Sequence, residues 1–242
     1  MFPDNRRVED YKYLLSTRFR QKPNQAINAC LFEACSVAKS DGKKAFFGDA
    51  AFTVFSDVYE PAEDTFLIAQ NLTVNVNDEV LDVGSGCGIL SVLSAQKARS
   101  VIAVDVSPDA VKCTKLNAEK NNVSERVNVV RGDLLGPLRK RALFDVVLFN
   151  APYLPTENEK PSGWIDYAWQ GGRGGREIID RFIAQASEHV KAGGRIFLVQ
   201  STLSDVKETI ESFTRQGFEA TVVAEQKVAF ETITAIQAKK SS

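Results

Sequence analysis

Histidine is almost missing from this chain: His189 is the only one in 242 residues. A metal site built from several histidines is therefore excluded, and a histidine-based catalytic triad would have to use that one residue. The four cysteines, Cys30, Cys35, Cys87 and Cys113, form no CxxC pair, so zinc-ribbon and thioredoxin-like readings lack their spacing. No run reaches the roughly 18 apolar residues of a membrane span. The N-terminal MFPDNRRVEDYKYLL has no apolar segment of signal-peptide length. The expectation is a cytoplasmic protein with reduced thiols, no membrane association and no metal site. An excess of one charge is missing too: 30 Lys and Arg stand against 31 Asp and Glu, for a net charge of −1. That balance disfavours a globally basic nucleic-acid binder. Internal repeats and low-complexity segments are also absent.

What is present is ordinary globular material, 44% hydrophobic and 25% charged. A chain of this length buries roughly 70–75% of its unfolded surface, enough for a core without staples. Residues 1–49 read as an N-terminal helical extension. Val8, Tyr11 and Leu15 fall at helical spacing, as do Ile27, Cys30, Leu31, Ala34, Cys35 and Ala38. The first 50 residues hold nine Lys and Arg against six Asp and Glu, so these helices either pack on the main domain or contact a substrate or RNA. The main domain is expected over 50–242. Residues 45–59 suggest a β-hairpin, and Glu60-Pro61-Ala62-Glu63-Asp64-Thr65 opens a helix, with proline and acids suited to its first turn. Strands then follow at 80–83, 101–106, 127–130, 144–149 and, after a Gly193-Gly194 turn, 195–200. Helices are expected at 89–97, at 108–121 with Ala110, Val111, Thr114 and Leu116 inward, at 176–190, and around Val206, Ile210 and Phe213. Two last strands, 218–224 and 228–235, form an antiparallel pair. Alternating β and α with continuous apolar strands predicts an α/β fold, a mostly parallel seven-stranded sheet covered by helices on both faces and closed by a C-terminal antiparallel strand.

Ligands of such sheets bind beyond the carboxyl ends of the strands, and four predicted strand ends carry polar residues. The first is Asp82-Val83-Gly84-Ser85-Gly86-Cys87-Gly88, where glycines allow a ligand to approach the backbone closely. Its GxGxG spacing is neither the dinucleotide GxGxxG nor a Walker loop. The second is Asp105, 23 residues after Asp82 and suited to a ribose diol, followed by Val106. The third is Asp133-Leu134, able to accept from an exocyclic adenine amine. The fourth is Asn150-Ala151-Pro152-Tyr153. Its carboxamide and the next backbone carbonyl each accept one N–H, so together they hold a planar –NH2 group, and a tyrosine can stack on it.

With these motifs the chain resembles class I S-adenosylmethionine-dependent methyltransferases that modify planar amino groups, a family with a Rossmann-like fold. Two further stretches, Tyr59 to Leu67 (YEPAEDTFL) and Trp169 to Ile178 (WQGGRGGREI), are similar to segments of the HemK-type protein-glutamine N5-methyltransferases, closest to their archaeal and eukaryotic branch. The resemblance covers about residues 50–238. It implies methyl transfer to the side-chain amide of the glutamine in the Gly-Gly-Gln loop of a class 1 translation release factor. It also implies a small zinc-binding activator subunit of the Trm type. On this reading the catalytic residues are Asn150, Ala151, Pro152 and Tyr153. The cofactor contacts are Tyr59, Pro61, Thr65, Asp82, Gly84, Gly86, Gly88, Asp105, Val106, Asp133, Leu134 and Asn150, with Thr65 and Asp82 toward the methionine end. Ala151 stands where the family has a first proline; the backbone carbonyl survives the change, the proline stiffness does not.

Competing readings are an N-methyltransferase of an exocyclic base amine in RNA or DNA, a catalytically silent Rossmann-like subunit, and, last because its glycine spacing is wrong, a dinucleotide oxidoreductase. Cys87 reads as a packing residue, Cys30 and Cys35 as core. His189, late in a helix, reads as a surface or helix-dipole residue. Trp164 and Trp169, in a long 154–175 loop, either gate the substrate or cap the sheet edge.

Overall fold

The computed structural model describes residues 42–141, 143–156 and 160–241. The two helices expected before residue 42, with Cys30 and Cys35, lie outside the described residues.

The described chain opens with an antiparallel hairpin, β1 (Lys43–Phe47) and β2 (Ala50–Val54). Gly48, at φ +56°, makes its two-residue turn with Asp49. The hairpin thus lies on both sides of the 49/50 boundary expected from sequence. Helix α1 (Glu63–Asn71) follows, with Glu63 and Asp64 in its first turn. Pro61 precedes this helix rather than occupying its first turn.

From there strand and helix alternate: β3 (Glu79–Val83), α2 (Ile89–Ala95), β4 (Ser100–Asp105), α3 (Pro108–Lys120), β5 (Val127–Arg131), β6 (Phe144–Asn150), α4 (Glu177–Ala186), β7 (Val190–Ser201), α5 (Val206–Arg215), β8 (Phe218–Lys227) and β9 (Thr232–Lys240). The sheet order is β5-β4-β3-β6-β7-β9-β8. All pairs are parallel except those of β9, which runs antiparallel to β7 and β8. The central strands are rich in apolar residues because helices cover both faces: Val80, Leu81, Val83, Val101, Val104, Val146, Leu148 and Phe149 are at most 1% exposed. Phe182 of α4 packs on Phe149 at 4.5 Å between ring centroids, and each such buried side chain contributes about 1.5–3 kcal/mol.

The chain winds outward from β3 through β4 to β5, then returns to pair β6 on the other side of β3. Right-handed crossovers put the helices of the two halves on opposite faces, so no connection covers the carboxyl ends of β3 and β6. The register Val83↔Phe149 sets Gly84 beside Asn150 at that opening.

Three local expectations are corrected. In α3 the buried positions are Ala110, Cys113, Thr114, Asn117 and Ala118, whereas Val111 and Leu116 are half-buried. Asn117 takes the inner position because its polar atoms are all satisfied: Oδ1 accepts from Thr53 N (2.8 Å), and Nδ2 donates to Thr53 O and Cys87 O (2.7 Å each). That one carboxamide ties the hairpin, the glycine loop and α3 together. Second, α4 stops at Ala186, so Val190 belongs to β7 and Gly193-Gly194 lies within that strand, where the pairing jumps from Phe144↔Val190 to Val146↔Arg195. Third, His189 is neither helical nor on the surface. It is 2% exposed, its Nδ1 lies 3.0 Å from Gln185 O, and its own carbonyl accepts from Leu143 N and Phe144 N. Among the described residues no helix is long and apolar enough to cross a membrane.

Candidate active site

A cleft of about 1100 Å3, open solvent at its mouth included, lies over the carboxyl ends of β3, β4 and β6. Of the residues singled out from sequence, Tyr59, Pro61, Thr65, Gly84, Gly86, Asp105, Val106, Asp133, Leu134, Asn150 and Pro152 line it. Asp82, Gly88, Ala151 and Tyr153 are not on its wall; all four are buried behind it.

The glycines divide by role. The loop after β3 is folded back on β4 by Gly84 N and Ser85 N, both donating to Val104 O. Gly84 (φ +67°) and Gly86 (φ +56°) leave the space above them open: a Cβ on Gly84 would meet only Phe149 at 3.8 Å, and one on Gly86 nothing within 4 Å. Gly88 (φ +83°) serves packing instead, since a Cβ there would lie 2.9 Å from Thr114 Cα. Gly88→Ala is therefore expected to lower Tm by several degrees more than Gly86→Ala, because it adds a backbone clash to the strain of positive φ. Thermal melts of the two variants check this.

Asp105 is 9% exposed and held by its surroundings. Oδ2 accepts from Gly86 N (2.8 Å) and Oδ1 from Ser107 N (2.9 Å). Burial pushes its pKa up, while those backbone N–H groups oppose the shift. A carboxylate offers about four acceptor positions, so lone pairs remain for a pair of hydroxyls in the cleft. Asp133 differs from its expected form: it is exposed at the rim and ion-paired with Arg181 of α4. That partner lies 48 residues away in sequence, and no local pattern pointed to it.

Asp82 sits beneath the loop at 1% exposure, accepting from Ser91 Oγ. Burial, with a contribution from the Asp105 charge, pushes its pKa up to about 7, against the opposing Ser91 hydrogen bond. A carboxyl whose folded pKa exceeds its unfolded value penalises the folded state when ionised. The Asp82 contribution is thus most favourable below the ordinary carboxylate range and is lost as pH rises from about 4 through about 7. Melts of the ligand-free protein should show Tm declining across that window, with a flatter profile for Asp82→Asn.

Asn150 ends β6 at the opening between β3 and β6. Its Nδ2 donates to Thr65 Oγ1 (3.2 Å), whereas its Oδ1 is buried with no hydrogen-bond partner. Thr65 Oγ1 in turn donates to Asp64 Oδ1 (3.1 Å), and Tyr59 OH donates to Asp64 Oδ2 (3.1 Å). Asp64 is 5% exposed, and its burial raises its pKa. Sequence reading quoted Asp64 only as a helix-opening acid. Behind Asn150, Ala151 N donates to Val199 O (3.2 Å), and Gly171 and Gly175 press so close to the carbonyls of Pro152 and Tyr153 that a Cβ would clash at 2.8 and 2.2 Å. This explains the glycine-rich WQGGRGGREI: its backbone is laid directly against the Asn-Ala-Pro-Tyr turn. Of the two tryptophans only Trp164 lines the cleft; its ring lies tilted against Tyr167 (5.5 Å between centroids), and the Arg131 guanidinium lies over it at 5.5 Å.

Comparison with known proteins agrees with this geometry. The methyltransferase small domain matches residues 51–164. A Methanocaldococcus jannaschii protein named as a protein N5-glutamine methyltransferase is 42% identical over 184 residues, 75% of this chain and 91% of that protein. Human methyltransferase HEMK2 is 33% identical over 207 residues, 81% of this chain and 96% of that protein. Among solved structures, the E. cuniculi Mtq2–Trm112 complex, described as methylating the eRF1 translation termination factor, has a chain that matches with a TM-score of 0.61 at 27% identity, covering 76% of this chain and 99% of that one. The fold, the cleft at the switch point and these relatives together place the chain in the HemK-type family of class I S-adenosylmethionine-dependent protein-glutamine N5-methyltransferases.

Proposed function

We propose that this enzyme methylates the side-chain amide nitrogen of the glutamine in the Gly-Gly-Gln loop of a class 1 translation release factor. The observation that carries the reading is the unpartnered Asn150 Oδ1 at the head of the cleft. A buried acceptor without a donor costs about 1–3 kcal/mol, and an amide N–H supplies what it lacks. Relatives named as protein-glutamine and release-factor glutamine methyltransferases support the acceptor.

The residues present fit S-adenosylmethionine. Gly84 and Gly86 leave room for close approach, Asp105 has lone pairs for the ribose diol, and Val106 and Leu134 flank the space for the adenine. Asp133 would take the adenine amine from its position at the rim. Tyr59, Pro61 and Thr65 would border the methionine end, with Asp82 and Gly88 supporting the loop from behind. When bound, the cofactor supplies a methyl group on a sulfonium, already a good leaving group. What remains for the chain is positioning, to which near-attack alignment contributes about 7–11 kcal/mol. An amide nitrogen is a poor nucleophile because its lone pair is delocalised. Asn150 Oδ1 and the Ala151 carbonyl would each take one N–H, fixing the amide plane and favouring electron density on nitrogen as the bond forms. Pro152 and Tyr153 would hold the turn that presents those two acceptors.

The same reading extends to a cytoplasmic enzyme with a small zinc-binding activator subunit, by likeness to the Mtq2–Trm112 complex, and to the residues before the β1–β2 hairpin as a separate extension. The test is transfer of labelled methyl from S-adenosylmethionine to purified release factor or to bulk RNA, with and without the activator. Label at the Gly-Gly-Gln glutamine is expected, lost when that glutamine is replaced. Label in RNA alone rejects the proposal in favour of a base amine.

A further inference from the structure

A carboxamide has two ends of nearly identical shape and opposite hydrogen-bonding character, so its surroundings must decide which end faces a ligand. At Asn150 they do. Asp64, when ionised, is an acceptor only; it takes the Thr65 backbone N–H, the Thr65 hydroxyl and the Tyr59 hydroxyl. Because the Thr65 hydroxyl gives its proton to Asp64, its remaining capacity toward Asn150 is to accept, and it does so from Nδ2 at 3.2 Å. Turning the carboxamide over would set Oδ1 against the Thr65 hydroxyl oxygen, whose proton is already given to Asp64, and point Nδ2 at the N–H of the incoming amide.

We propose that Asp64 is a positioning residue that, through Thr65, fixes the polarity of the Asn150 carboxamide so that Oδ1 alone faces the methyl acceptor. Asp64 does not line the cleft and touches neither reactant; its effect passes through Asn150. Thr65 is the link: its hydroxyl is committed in one direction by Asp64 and so commits Asn150 in the other. The inference rests on the proposed amide acceptor only for its activity arm.

The test has two arms. In the first, the side-chain NH2 pair of Asn150 is followed by proton–nitrogen NMR, assigned by its absence in Asn150→Asp. In the wild-type protein the pair should be protected from solvent exchange, and in Asp64→Asn it should exchange at least tenfold faster. In the second arm, turnover is measured with release factor. Asp64→Asn should lower kcat at least tenfold, with cofactor Kd by calorimetry and acceptor KM within threefold of wild type. Asn150→Asp, which leaves the one Thr65 hydroxyl proton between two carboxylates, should lose at least 100-fold. The exchanged variant Asp64→Asn with Asn150→Asp restores a donor opposite a carboxylate and should recover at least tenfold over Asn150→Asp alone. A role confined to folding would lower Tm and cofactor affinity together and give no such recovery. Unchanged amide exchange in Asp64→Asn, or an exchanged variant no more active than Asn150→Asp, overturns the proposal. If wild-type enzyme fails to label release factor, the acceptor assignment falls, and the exchange measurement still decides the role of Asp64.

Discussion

Asn150→Ala is expected to reduce methyl transfer by about 10²–10³-fold while cofactor affinity stays within about threefold. The scale is that of losing one preorganised group that acts on the charge developing in the transition state. The asymmetry between transfer and binding follows from geometry. Asn150 spends Nδ2 on Thr65 and leaves Oδ1 to the cleft, whereas the Asp105 side would meet the cofactor through other groups. Single-turnover transfer and calorimetry on one preparation measure both quantities. Equal losses in the two would show that Asn150 serves mainly to hold the cofactor. Asn150→Gln should fare little better than alanine, since the extra methylene shifts the carboxamide off the Thr65 hydroxyl that anchors its NH2 end and so misplaces the acceptor oxygen.

Asp105→Ala should act in the opposite way, weakening cofactor affinity by about 1–3 kcal/mol, roughly 5–150-fold, with a smaller effect on the transfer step once the enzyme is saturated. Asp105 has a second task that sets the upper part of that range. Its carboxylate accepts from Gly86 N and Ser107 N, so it holds the glycine loop besides its proposed contact with the ribose. Alanine leaves both N–H groups without that acceptor. Asp105→Asn keeps one acceptor oxygen and should lose less. Calorimetry at saturating protein resolves the series, and an Asp105→Ala affinity equal to wild type would remove Asp105 from the ribose.

The order of strands and helices was legible because it depends on local pattern. Short apolar runs such as Val-Val-Leu-Phe at 146–149, rich in β-branched residues and followed at once by Asn150-Ala151-Pro152, read as strands buried on both faces. The strand-end acids and glycines were legible for the same reason: in a parallel sheet every carboxyl end faces one way. The misplaced details share a different cause. Leu116 looks more apolar than Asn117, yet Asn117 is the buried one, because Thr53 and Cys87 bring partners that no helical periodicity encodes. His189 reads as a late helical residue, yet the chain turns after Ala186 and packs it beneath β6 and β7.

By itself the sequence determined the fold class, the position of the cleft along the chain and eleven of the residues on its wall, since these follow from periodicity, turn chemistry, strand-end composition and the family resemblance. Only the tertiary structure decided which glycines leave space and which allow packing, that Asp133 is shared with Arg181, and that Asp64, Thr65 and Asn150 form one directed chain. Thr65 and Asn150 are 85 residues apart. Their contact exists because β6 returns to pair with β3, and the direction of a hydrogen bond becomes fixed only when donor and acceptor are buried within reach of each other.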